Sequence, residues 1–398
     1  MDTEKKIKIG IDARFLLRPM RGMSLYVNRL CQLLPIYAKD INFIYFINQK
    51  FEHNDLKNNY LPILHDLKNN SNVKIVNIDD DAEILWEQVY LPKALTKHKV
   101  DLIHMPTNRS CFIKKIPIVS TIHDVMEYNF LKTNCYNFLF KDFELKFSIY
   151  KCRTLLYSFM MYKFLFNKNK GIITVSNNSS KDILRITNYD INKIKVIYHG
   201  LDIDFFISEE KIKPFSQRKY ILMLGGDNYY KNPEGSIKAW ERLPNELKNK
   251  YPLKIIGFCG DTNSRLIDTL KKLDLLGTVE IEGWVDRKKL IEYFRNAVLF
   301  LYLSRYEGFG LPIIQSMASG TPVISSNTSS IPEILGKNII GHDPEDHKKT
   351  SNYIELLLKD ENIWRKQSEA GICRSKDFVW ENSINEHIKF YKKIIRNQ

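Results

Sequence analysis

An alternation of short β-branched runs with helix-length amphipathic stretches, repeated as two series along the chain, constrains the fold more than any other feature. The first series is IKIGID (7–12), FIYFI (43–47), VKIVNI (73–78), DLIHM (101–105), IPIVSTIHD (116–124), GIITVS (171–176) and KVIYHG (195–200). The second is YILMLGG (220–226), LKIIGF (253–258), TVEIEG (278–283), VLFLYLS (298–304) and PVISS (322–326). Strands separated by helix-length crossovers run parallel, and parallel sheets carry helices on both faces. Ligands of such sheets sit beyond the carboxyl ends of the strands. The expected class is therefore α/β, with two Rossmann-like doubly wound domains at 1–203 and 204–380. Between the series, LDIDFFISEEKIKPFSQRK (201–219) is charged, carries Pro214 and lacks sustained periodicity, so it reads as the linker. Two such halves on one linker predict a clamshell with a cleft that closes by hinge motion. In 381–398, Ile384, Ile388, Tyr391 and Ile394 fall at helical spacing and predict a terminal helix.

Composition agrees with two folded domains: 398 residues are more than one core supports, with 44% hydrophobic and 27% charged residues. The opening MDTEKK is polar and runs into a strand, and no 18 consecutive apolar residues occur. The six cysteines are scattered without a CxxC pair, which argues against both a zinc site and a disulfide framework. A cytoplasmic protein is expected, associated at most with the inner face of the membrane. Lys and Arg exceed Asp and Glu by 60 to 46, a net +14 that favours anionic partners; a basic solvated surface explains it equally well. No nucleic-acid-binding motif accompanies the charge, and a nucleic-acid partner is not expected.

The segment SRYEGFGLPIIQSMASGTPVISS (304–326) follows an apolar strand and starts where a ligand site belongs. Gly308 and Gly310 let backbone approach a ligand, Pro312 suits a first helical turn, and Gly320 suits a helix end. The amides at that helix start would face an anion. Glu307 can accept from sugar hydroxyls or stabilise positive charge at an anomeric carbon. Gln315, about two turns into the helix, can donate and accept at a ribose edge. An ordinary strand-turn-helix with glycine at its turns explains the same residues.

EGFGLPIIQSMASGTPVI resembles the signature of glycosyltransferase family 4, whose fold is the two-Rossmann GT-B type. KIGIDARFLLRPMRGMSLYVNRL, STIHDVMEY, GIITVSNNSSKDIL, KVIYHGLD, YILMLGGDNYYKNPEGSIKAW and SKDFVWENSINEHIKFY extend the resemblance over nearly the whole chain. The family writes its signature as glutamate, seven residues, glutamate; here Glu307 fills the first position and Gln315 the second. The resemblance implies that Glu307 and the amides of Gly308, Phe309, Gly310 and Leu311 contact donor sugar and phosphates, while Gln315 faces the ribose. It implies that Gly225 and Gly226 belong to a phosphate loop, with Lys231 neutralising the donor diphosphate and Asn232, which follows it, also binding the donor. Tyr230 stands where many members have arginine. His123, at a strand's carboxyl end, is expected to reach the donor sugar or reacting centre with Asp124 orienting it. Gly22 belongs to a first loop that approaches the phosphates, with Ser24 in place of a second glycine. The terminal helix is expected to pack back toward the first domain.

The family further implies transfer of a hexose with retention, without a cofactor or essential metal, from a nucleotide-sugar to a glycan or polyprenyl-linked acceptor in surface polysaccharide or lipopolysaccharide assembly. GDP-mannose is the first donor to try. A second reading is a transferase-like scaffold that has lost catalysis, to which Gln315, Tyr230 and Ser24 point. Residues 136–170, dense in Phe, Tyr, Leu and Met with interspersed Lys, are either core of the first domain or a face for an anionic membrane.

Overall fold

The computed structural model describes residues 6–18, 22–49, 57–80, 82–126, 128, 156–226, 229–258 and 264–397. The chain divides into two compact units, Met1–Tyr198 with Glu381–Gln398, and His199–Trp380.

In the first unit, seven parallel strands stand in the order β3-β2-β1-β4-β5-β6-β7. They are β1 Ile7–Asp12, β2 Ile41–Ile47, β3 Val73–Asn77, β4 Leu102–Met105, β5 Ile118–Ile122, β6 Gly171–Thr174 and β7 Ile194–Val196. In register, Ile9 pairs Phe43 on one side and Leu102 on the other. The strand order reverses between β1 and β4, the point at which doubly wound sheets take their ligands.

The second unit has five parallel strands in the order β10-β9-β8-β11-β12: β8 Tyr220–Leu224, β9 Leu253–Ile256, β10 Glu280–Glu282, β11 Ala297–Tyr302 and β12 Val323–Ser325. Its reversal lies between β8 and β11. Every residue of β11 is buried, as a strand covered on both faces requires. Ile221, Met223, Ile255, Leu299, Leu301 and Trp364 are among the side chains that fill this core.

The stretch read as a linker is packed against the second unit. Phe205 is buried there, Ile207 N–H donates to the Ala318 carbonyl at 3.0 Å, and Leu201 pairs with Val379. Arg218, also buried, donates to the carbonyls of Arg295, Ala297 and Gly320 and to Thr321 Oγ1. Its guanidinium does for this irregular backbone what a sheet ladder does for a strand, and periodicity carries no trace of that.

The terminal helix Trp380–Arg396 lays Ile384, His387, Phe390 and Tyr391 on the first unit. A Cβ at Gly171 would lie 2.6 Å from the Phe390 ring, so only glycine lets the helix come this close to the start of β6. A buried hydrogen-bonded chain ties helix to sheet. Tyr391 OH lies 2.7 Å from His104 Nδ1, His104 Nε2 2.7 Å from Thr121 Oγ1, and Thr121 Oγ1 2.9 Å from Tyr26 OH. Tyr26 OH lies 2.7 Å from His387 Nε2, and His387 Nδ1 2.7 Å from the Ser383 carbonyl. The carbonyl accepts only, so His387 Nδ1 carries a proton, and with both imidazoles neutral every proton in the chain points toward Ser383. Burial accordingly pushes His387 down to about 4 and His104 well below the usual histidine value.

Of the aromatic stretch 136–170, residues 136–155 lie outside the described residues. In 156–170 the alternatives divide by face: Met161, Tyr162 and Phe166 are core, whereas Leu156, Phe159, Met160 and Phe164 are exposed. No helix among the described residues is long and apolar enough to cross a membrane.

Candidate active site

In the second unit, the loops after β8 and β11 meet above the strand-order reversal. β8 runs into Gly225, whose N–H donates to the Ile256 carbonyl at 2.7 Å and where any Cβ would fall 2.6 Å from Phe258 Cβ. A Cβ at Gly226 would touch only the Lys231 stem, at 3.6 Å. A single turn, Tyr229–Lys231, then presents Lys231.

Lys231 Nζ lies 2.8 Å from Tyr302 OH, 2.8 Å from Glu307 Oε1 and 3.1 Å from Oε2. Burial disfavours its charge, but Tyr302 and Glu307 outweigh burial and raise its pKa, so it is an ammonium at any physiological pH. Burial and the neighbouring carboxylate together raise the Tyr302 phenol, which keeps its proton. Tyr302 OH donates to Glu307 Oε1 at 2.7 Å, and Ser304 Oγ lies 2.8 Å from the same oxygen. Oε1 is thus held by Lys231 and Tyr302, with the single Ser304 proton shared between it and the Tyr230 carbonyl at 2.7 Å, while Oε2 meets only Lys231 among the described residues. The loop is fixed as firmly: Glu307 N–H donates to Ser329 Oγ at 2.9 Å, and Ser330 Oγ lies 2.8 Å from the Glu307 carbonyl.

Beyond Glu307, Gly310 takes φ 109°, a left-handed value that favours glycine, and caps the helix Leu311–Ala318. Pro312 removes one amide from the first turn and Ile313 N–H returns to the Gly310 carbonyl at 3.0 Å. Gly310 and Leu311 carry the remaining amides of that end. Gln315 stands one turn after Leu311 on the incompletely buried side of this helix. The Phe309 ring is an anchor, buried edge-to-face on His199 at 4.9 Å between centroids, which leaves its backbone as the part that can approach a ligand.

Asn232 is a correction to the sequence reading. It is fully buried with φ 48°, its Oδ1 caps the helix Pro233–Glu241 through Gly235 N–H at 3.1 Å, and its Nδ2 donates to the carbonyls of Leu303 and Pro344. Its side chain clamps the loop that carries Lys231 to the end of β11 and has no polar atom left for a donor.

In the first unit, Gly22 begins the helix Met23–Tyr37 at φ 52°, ψ −124°, a glycine conformation with open space at the Cβ position. His123 follows β5. Its N–H donates to Asn108 Oδ1 at 2.7 Å, its Nε2 lies 2.9 Å from the Pro106 carbonyl, and its ring stands edge-on to Tyr26. The carbonyl accepts only, so Nε2 holds the proton and Nδ1 a lone pair. Burial lowers its pKa to about 4, which makes the ring a neutral acceptor at physiological pH. The Pro106 carbonyl is one group that orients it. Asp124 Oδ1 accepts from Met126 N–H at 2.9 Å in the turn after β5.

Sequence reasoning missed Tyr302, Ser304 and Ser330, which position Glu307. Only Ser304 left a signal, as the polar residue that closes an apolar strand. It also missed the buried cluster beside the first unit's reversal, where Arg14 pairs with Asp12 at 2.7 Å and Glu87 at 2.7 Å.

Comparison with known proteins follows this division of the chain. The family model described as Glycosyltransferase Family 4 matches residues 64–205, and that described as Glycosyl transferases group 1 matches 204–373. The O-antigen chain mannosyltransferase B of Escherichia coli is 33% identical over 231 residues, 56% of this chain and 60% of that protein. The serotype-specific mannosyltransferase WbdA of Escherichia coli is 25% identical over 246 residues, 58% of this chain and 30% of that protein. The chain therefore matches less than two thirds of the length of either relative. A glycosyltransferase structure from Rickettsia africae ESF-5 superposes with a TM-score of 0.67 at 18% identity, covering 99% of this chain and 100% of that one, a likeness of fold. With the two models meeting at residues 204–205 and together spanning 64–373, the chain belongs to the glycosyltransferases of family 4 and group 1, built of two parallel-sheet units of the GT-B class.

Proposed function

We propose that the chain is a retaining hexosyltransferase that moves mannose from GDP-mannose to a glycan or polyprenyl-linked acceptor in surface polysaccharide assembly. The observation that carries transfer is the Lys231–Glu307 pair over the strand-order reversal of the second unit. A nucleotide diphosphate is the ligand for which a lysine ammonium, two loop glycines and the start of a helix are suited together. In this reading Lys231, Gly225, Gly226 and the amides of Gly308 to Leu311 take the diphosphate, Gln315 takes the ribose, and Gly22 lets the first loop approach the phosphates. Glu307 Oε2 accepts from the sugar hydroxyls once the diphosphate draws Lys231 away.

The chemistry follows from where charge develops. The anomeric carbon–oxygen bond breaks, its electron pair leaves with the diphosphate, and the carbon becomes oxocarbenium-like. The acceptor hydroxyl attacks on the same face and gives its proton to a diphosphate oxygen, so configuration is retained and charge balances. Lys231 and the helix amides stabilise the leaving group, and the Glu307 carboxylate stabilises the cationic sugar. His123, neutral with its Nδ1 lone pair, accepts from a hydroxyl and does not act as an acid. Mannose is favoured because both relatives above are named mannosyltransferases.

The test is nucleotide release from a panel of nucleotide-sugars, with a polyprenyl-linked acceptor extract, for wild type, Glu307→Ala, Lys231→Ala and Gln315→Glu. Turnover of GDP-mannose that falls about a hundredfold or more in the first two variants is expected. Turnover of a different donor with the same losses would change only the sugar. Donor binding without turnover would replace the proposal by the scaffold reading.

A further inference from the structure

Within the first unit, Tyr26 is the point at which the helix Met23–Tyr37, β5 and the terminal helix meet, and two of its contacts belong to residues that the transfer reading uses. Its N–H donates to the Gly22 carbonyl at 3.3 Å. Its side chain is buried, with the phenol oxygen 2.9 Å from Thr121 Oγ1 and the ring perpendicular to that of His123 at 4.9 Å between centroids. Thr121 and His123 are two residues apart, the separation that puts side chains on one face of an extended chain, and Tyr26 lies along that face. The hydroxyl is also tethered from behind, 2.7 Å from His387 Nε2. Because His387 Nδ1 donates to the Ser383 carbonyl, the neutral imidazole accepts at Nε2 and the phenol is the donor.

Holding the terminal helix on the sheet does not require this bond, since Tyr391, His104 and Thr121 already join the helix to β4 and β5. A phenylalanine would fill the same space against His123, so the hydroxyl supplies fixation and not volume. Bonded on two sides, it holds the plane of the Tyr26 ring, and a ring of fixed plane restricts the tilt of the imidazole packed perpendicular to it. The Pro106 carbonyl selects which His123 nitrogen keeps the proton, whereas tilt decides the direction in which Nδ1 accepts.

We propose that Tyr26, tethered by His387 of the terminal helix, is a positioning residue that aims the His123 imidazole at the hydroxyl from which it accepts. The proposal rests on the transfer reading for the use of His123 and adds to it the residue that sets the ring. Its test is nucleotide release by the full chain, with the donor that wild type turns over, for Tyr26→Phe, His123→Ala and the two combined. Tyr26→Phe is expected to lower kcat about tenfold while KM for the donor stays within about twofold. In the His123→Ala background the same change should cost nothing further, because a residue that acts through His123 then has nothing to position. His387→Leu should reproduce the loss, and His387→Gln, whose amide oxygen accepts from the phenol, should recover most of it. A second readout needs no turnover: in histidine-labelled protein, the ring resonance that His123→Ala removes should move in Tyr26→Phe and in His387→Leu. An unmoved resonance, or the same fractional loss of kcat with and without the His123 ring, would overturn the proposal and leave Tyr26 a support of the fold. Wild-type turnover by His123→Ala would instead take His123 out of the transfer reading itself, and the proposal with it.

Discussion

A carboxylate with an ammonium and a phenol on one oxygen is held at one torsion, and its other oxygen becomes the one that meets a ligand. Tyr302 supplies one donor to Glu307 and accepts from Lys231, so its phenol sets both charges at once. Removing that hydroxyl should disturb the pre-set charges more than the fold, because Ser304 and Lys231 still hold the carboxylate. Tyr302→Phe is expected to lower kcat about tenfold with a smaller change in KM for the donor, measured by nucleotide release. Its unfolding midpoint should stay close to that of wild type. A rise in KM alone would mean that the phenol serves binding and not the orientation of charge.

At the scale of elements, the hydrogen-bonded chain from Tyr391 to Ser383 joins the terminal helix to the first sheet through two neutral imidazoles. His387 and His123 have folded pKa values near 4, below the usual 6.5, because burial disfavours their charged forms. The unfolded chain therefore binds more protons between about pH 4 and 6.5, and stability rises with pH across that window. What these residues contribute is present in full above 6.5 and is lost as pH falls through the folded values. At pH 5 the loss should be about 2 kcal/mol for each of the two. Denaturant midpoints at pH 7.5 and pH 5 check this, and His387→Gln should remove about half of the difference. Little of this chain was legible in the sequence, because Tyr26, His104, Thr121 and His387 are hundreds of residues apart at the extremes and each alone has an ordinary composition around it. The EGFGLP turn was legible for the opposite reason: a glycine at positive φ, a proline in a first turn and a carboxylate at a strand end are local signals. Asn232 shows a local signal outweighed. Asparagine before Pro-Glu is an N-cap pattern, and the structure uses it as one, whereas the family resemblance directed attention to the donor.

For the whole molecule, the boundary at Trp380 and Glu381 is a statement about stability. Residues 381–398 belong to the first unit, and the second unit has its own core without them. A chain shortened after residue 380 should thus lose protection in β4, β5 and β6, where Tyr391, His387 and Phe390 pack, and keep it in β8 and β11. Amide hydrogen exchange resolved by strand measures both in one sample. Equal loosening of both units would show that their stabilities are coupled. The two strand series and the turn after β11 were read from periodicity and turn chemistry, whereas the wrapping of 201–219 on the second unit depends on one buried arginine that no pattern announces.

The return of the last helix to the first unit also orders events during synthesis. On a ribosome, residues 6–198 emerge first, yet they lack Phe390 to cover Gly171 and Tyr391 to complete the hydrogen-bonded chain until the second unit has been made. The later unit has its core within His199–Trp380, so it is expected to be able to close as soon as Trp380 is clear of the exit tunnel, before the earlier one is complete. The earlier one waits, with the groove for this helix open, for residues 381–396 of the same polypeptide.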